Sequence, residues 1–135
     1  IACVGLLDFQ DAVVGPTAYD VASLLQDARV DVPEPLEREL FARYVRRRRE
    51  TDSAFDAAAF GQIYATMAAQ RATKILGIFA RLDKRDRKPQ YLRHMPRVWG
   101  YLQRSLEHPA LASLKDWYGV NVPALRTDDR DADRA

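Results

Sequence analysis

One cysteine, Cys3, stands alone among 135 residues, so no disulfide can form within the chain. That fits a reducing compartment, and a cytoplasmic location is the expectation. Histidine is almost as scarce: His94 and His108 lie far from Cys3 and apart from each other, which excludes zinc-ligand spacing. No apolar run approaches the roughly 20 residues needed to span a bilayer. Charge of one sign is lacking too. Lys and Arg number 21 against 19 Asp and Glu, a formal net charge of +2, so no global field calls for nucleic acid or a membrane surface. A Gly-rich phosphate loop, a G-x-S-x-G elbow and internal repeats are all missing. What is present is ordinary globular composition, 47% hydrophobic, 10% aromatic and 30% charged, enough for one core.

The chain opens on Ile1 in a short apolar run of strand formers, Ile1–Leu7 (IACVGLL), read as a buried strand. Asp8–Pro16 is a loop closed by the breaker pair Gly15-Pro16. Helices are then expected over about Thr17–Ala28, Leu36–Arg49, Ala57–Leu82, Tyr91–Leu106 and Ala110–Trp117. In the first, Val21, Leu24, Leu25 and Ala28 share a stripe. Pro35 and the acids Glu34, Glu37 and Glu39 suit the start of the second, and Arg46–Arg49 its end. Thr127–Ala135 (TDDRDADRA) has no apolar residue larger than alanine, and residues 124–135 are expected to be a disordered tail. A lone strand cannot satisfy its own backbone groups. The expected fold is therefore mainly α: residues 1–123 are the helical C-terminal fragment of a larger α+β fold, keeping one N-terminal strand of its core.

Three places carry chemistry. A strand delivers Asp8 to its exposed end, where a carboxylate is suited to hold a hard cation such as Mg²⁺ against phosphates. Gln10 and Asp11 follow on the same loop and suit a second ion or its waters. Asp20 sits near a helix start beside an apolar stripe, either as a dipole-favoured acid or as a partly buried carboxylate needing donors. In the long helix, Phe60, Tyr64, Met67, Ile75, Ile78 and Leu82 form a stripe at ~100° per residue, with Arg71 in its middle and Gln70 and Lys74 at its edge. Either Arg71 is paired with a carboxylate, or that turn lines a cleft for an anionic or polyhydroxylated ligand. Arg46–Arg49, His94 and His108 read as solvated or structural, and Trp99, Tyr101, Trp117 and Tyr118 as packing for the last helices.

LLDFQDAVVGPTAYDVASLLQD, residues 6–27, resembles the aminoglycoside phosphotransferase superfamily, which has a protein-kinase-like fold. QRATKILGIFARLDKRDRKPQYLRHMPRVWGYL, residues 70–102, is similar to its branch of cytoplasmic anomeric N-acetylmuramate/N-acetylglucosamine kinases of cell-wall (peptidoglycan) recycling. The resemblance implies an ATP- and Mg²⁺-dependent transfer of the γ-phosphate to a sugar hydroxyl. It assigns metal ligation to Asp8 and Gln10, bracing of the catalytic loop to Asp20, and acceptor-substrate contacts to Asp11, Gln70, Arg71 and Lys74. Gln10 stands where several relatives carry an acid. The family's catalytic base lies on an H-G-D-x-x-x-x-N loop that this chain lacks, so no catalytic base is expected here and the isolated chain is expected to be inactive. The implied partners are a small-molecule sugar and the rest of the kinase, with no nucleic acid and no membrane. An aminoglycoside or other small-alcohol phosphotransferase is the alternative within the class. A non-catalytic helical binding module, using Arg46–Arg49 for nucleic acid or protein, is the alternative outside it.

Overall fold

The computed structural model describes residues 13–122. The strand expected over Ile1–Leu7, the residues Asp8, Gln10 and Asp11, and the tail 124–135 lie outside them. Every regular element among the described residues is helical: α1 (Ala18–Leu25), α2 (Glu34–Thr51), α3 (Ala57–Asp86), α4 (Met95–Leu106) and α5 (Ala112–Asn121), with 3₁₀ turns over Pro89–His94 and Pro109–Leu111.

Local chemistry moves the boundaries away from the sequence expectation. α1 stops at Leu25, not Ala28. There the Asp27 carboxylate accepts from the amides of Arg29 (2.7 Å) and Val30 (2.8 Å), and turns the chain. α2 begins at Glu34, because Pro35 sits comfortably in a first turn. Asp56 caps α3 by accepting from Ala58 and Ala59. The charged stretch Asp83–Asp86 continues α3 past the end expected at Leu82. Arg87, at φ 53°, then closes α3 in the left-handed region, and the Lys88 amide donates to the Leu82 carbonyl. The helix expected from Tyr91 is instead a 3₁₀ turn, and α4 starts at Met95. Pro96 lacks an amide and its ring would collide with an earlier helical carbonyl, so it fits only in a first turn.

α3 is 30 residues long, roughly 45 Å, and organises the rest. Its buried face is largely alanine: Ala65, Ala68, Ala69 and Ala72, with Phe60 and Phe79 toward the ends. The core forms where α3 meets α4, from Ala65, Ala69, Ala72 and Phe79 against Val98, Leu102, Leu106, Leu111 and Ala28. α1 adds Ala18, Ala22 and Leu25, all buried. α2 is more peripheral. It is held by a ring cluster in which Phe41 meets Tyr64 (4.7 Å between centroids) and Phe60 meets Phe41, Tyr44 and Phe55. Two apolar expectations fail. Leu24 is 75% exposed because the buried face of α1, set by Ala18, Ala22 and Leu25, lies about 100° round the helix from it. Trp117 is 53% exposed, whereas Trp99 and Tyr118 do pack on the core and Tyr101 is buried.

Candidate functional site

Helices α1 and α3 carry three of the sequence-derived candidates between them, and two of these, Arg71 and Lys74, stand at the seam where the helices meet. Asp20 lies in the first turn of α1 with its side chain exposed, where the helix dipole favours a carboxylate. Its neighbour Tyr19 accepts a hydrogen bond from Lys74 Nζ at 3.1 Å, and the same ammonium stands 5.6 Å from the Tyr19 ring centroid. At the far end of α1, Arg71 Nη1 donates to the Gln26 carbonyl at 3.2 Å. That carbonyl lies just past the last turn of α1, where a cation is electrostatically favoured. The question posed by a cation in an apolar stripe thus has a local answer: Arg71 is half-buried because it ties the end of α1 to α3. It also faces Asp27. Burial works to raise the Asp27 carboxyl, but the amides of Val30 and Arg29 and the charges of Arg29 and Arg71 hold it below the usual carboxylate range. Gln70, one turn before Lys74, is exposed. The seam therefore brings Arg71 and Lys74 together against α1, and it does not bring to them Asp20, which stands on the outward face of α1.

Sequence reasoning gave Glu37 only a dipole role, yet it is the polar centre of the structure. Glu37 is 8% exposed. Its Oε1 accepts from Gln26 Nε2 (2.8 Å) and from the Tyr64 hydroxyl (2.9 Å), and its Oε2 accepts from Arg104 Nη2 (2.8 Å). One carboxylate thereby joins α2, α3, α4 and the residue that closes α1. Burial, and then the adjacent Glu37 charge, push the Tyr64 phenol far above its ordinary range. Arg104 also lies over the Tyr101 ring, 4.9 Å from its centroid. Among the described residues its buried Nε finds no oxygen acceptor. Beside this network opens a cavity of about 440 Å³. No local signal announces Glu37, since its partners are 11, 27 and 67 residues away.

Among the described residues no cluster of three His, Cys, Asp or Glu side chains is placed to hold a metal, and no helix is long and apolar enough to cross a membrane. The expected metal ligands precede residue 13. Asp8 and Gln10 offer oxygen donors only, a carboxylate and an amide carbonyl, which suits a hard divalent cation.

Residues 2–60, which end in the first turn of α3, match the Phosphotransferase enzyme family. The chain is 45% identical over 122 residues, 90% of its length, to the N-acetylmuramate/N-acetylglucosamine kinase of Caulobacter vibrioides. It is 42% identical over 115 residues to the kinase of that name from Neisseria meningitidis, and 40% identical over 113 residues to that of Pseudomonas aeruginosa, each match covering 82% of the chain. It spans about a third of the length of these relatives: 32%, 34% and 33%. The match over residues 2–60 and the similarity that continues through α3 and α4 point the same way: the chain is similar to the phosphotransferase enzyme family over its first 60 residues and to these sugar kinases over most of its length.

Proposed function

We propose that this chain is the helical C-terminal lobe of a small-molecule kinase that transfers the γ-phosphate of ATP to a sugar hydroxyl, the anomeric hydroxyl of N-acetylmuramate or N-acetylglucosamine. The observation that carries the reading is similarity over 90% of the chain to a kinase named for those sugars. In this reading Asp8 holds Mg²⁺, with Gln10 beside it, and the bound Mg²⁺–ATP supplies the phosphoryl group and the neutralising charge. Asp20 braces the catalytic loop. Asp11, Gln70 and Lys74 are the acceptor contacts.

In this reading Arg71 and Lys74 do different work. Lys74 is exposed and held by the Tyr19 hydroxyl, so it is the better partner for the lactyl carboxylate of N-acetylmuramate. Arg71, bonded to the Gln26 carbonyl, positions α1. Phosphate transfer by the complete protein from ATP to each sugar tests the proposal. Asp8→Asn is expected to lower kcat on the order of a hundredfold or more. Lys74→Ala is expected to raise KM for N-acetylmuramate more than for N-acetylglucosamine, and Arg71→Ala to weaken both alike. Residues 1–135 alone should show no turnover. Turnover by that piece, or full activity of Asp8→Asn, would sink the assignment.

A further inference from the structure

The cavity beside Glu37 meets the seam just described only at Gln26, whose carbonyl binds Arg71 and whose side chain lines the cavity. Tyr64 and Lys74 are ten residues apart on α3, roughly 15 Å along the helix, and Asp20 and Gln26 are about 9 Å apart along α1. We infer that this cavity is a second binding site, for a small uncharged polyhydroxylated ring such as a pyranose. The inference does not rest on the kinase reading.

Four observations on the site agree. Its volume, about 440 Å³, falls in the ~300–1,000 Å³ range of small-molecule pockets. One side is built from the Phe41 and Tyr64 rings, 4.7 Å apart, an aromatic surface on which the apolar face of a sugar ring can lie. The wall behind is fixed, because Glu37 is held from three helices at once. On α3, Gly61 lines the space, and a Cβ built there meets nothing within 4 Å. A glycine inside a helix costs about 1 kcal/mol relative to alanine. Here no neighbour requires it, and what it leaves is room.

The lining also selects the charge of the occupant. Glu34, Glu37 and Glu107 repel a polyanion, while Arg38 and Arg104 repel a polycation. The charges are already matched: Arg38 pairs with Glu34, Arg104 with Glu37 at 2.8 Å, and Lys115 with Glu107 at 2.7 Å. An ionic ligand would have to break one of these pairs. His108 accepts the Ala110 amide on Nδ1 at 3.2 Å, so the neutral ring carries its proton on Nε2 and keeps a donor there. Donors and acceptors both line the space beside the two rings, which suits a neutral ring bearing hydroxyl groups.

The test is an amide NMR titration of the complete protein with N-acetylglucosamine, on wild type and Gly61→Leu. Wild type is expected to show saturable shifts at residues 61–65 and 104–108. Gly61→Leu, which fills the space from a helical backbone, is expected to abolish those shifts while Tm stays equal or rises. Arg38→Ala, at an exposed position, is expected to weaken binding severalfold without changing the fold. Shifts that stay linear in sugar concentration would overturn the inference, as would saturable shifts at residues 61–65 that persist unchanged in Gly61→Leu.

Discussion

Replacing Glu37 with alanine should be among the most damaging single changes in this chain, although the residue is a glutamate on a helix that is otherwise mostly exposed. Glu37 is 8% exposed and accepts three hydrogen bonds of 2.8 to 2.9 Å. Its loss leaves a guanidinium, a phenol and an amide without their acceptor. Removing one partner of a buried ion pair costs about 3–5 kcal/mol. The Arg104 side chain is 32% exposed, however, and can recover water on one side, which places its share well below that range. Tyr64 and Gln26 each lose a bond contributing about 1 kcal/mol. A total of about 3 kcal/mol follows. With a urea slope of roughly 2 kcal/mol per molar, the midpoint should fall by about 1.5 M. Trp99, packed on the core, provides a fluorescence signal for the transition. Glu37→Gln keeps one acceptor oxygen for Gln26 and Tyr64 but turns an NH2 donor toward Arg104, and should still cost less than alanine. A Glu37→Ala loss below about 1 kcal/mol would refute the reasoning. So would a double-mutant cycle with Tyr64→Phe that shows no coupling.

Two further outcomes can be measured on the same scale. The folded-state pKa of Tyr64 is raised above its unfolded value of about 10, so its contribution is intact below pH 10 and is lost as pH rises beyond it. Urea stability should fall by up to about 1.4 kcal/mol per pH unit above pH 10, and the Tyr64→Phe variant should lack that component. Asp56→Ala removes the acceptor of two α3 amides and should cost about 1 kcal/mol in the same denaturation experiment, with Asp56→Asn recovering most of it.

The helices were legible from the sequence because each announces itself locally. The Phe60–Leu82 stripe, the Pro35 start and the Gly15-Pro16 break all act within a few residues. The boundaries that moved did so for reasons that are equally local but easily outweighed. Asp27 captures two amides and ends α1 early, and Pro96 forbids a helix already begun at Tyr91. The core was read less well. Large residues such as Met67 and Ile75 drew the stripe, while the most deeply buried side chains of α3 are Ala68 and Ala69, at 1% and 2% exposure. Alanine adds little to a hydrophobic pattern, and its value lies in how closely it lets another helix approach. Arg71 was singled out correctly as a cation that needed an explanation. Its partner, a backbone carbonyl 45 residues away, has no signature in side-chain identity. Glu37 was out of reach for the same reason: a hub is defined by long-range partners.

The alanine face of α3 sets a mechanical tolerance for the whole lobe. Ala18 and Ala22 of α1 are buried to 1% and 0%, with Asp20 between them pointing outward. Small side chains on both helices leave no compressible layer between them to absorb an added methylene, so α1 would have to move as a body. A volume change far inside the lobe would therefore appear as a displacement of the helix that carries Asp20 and of the loop leading into it. In such a fold the position of Asp20 is calibrated by the smallest side chains, and the first sign of a misfitted core would be a lobe that still folds but carries α1 out of place.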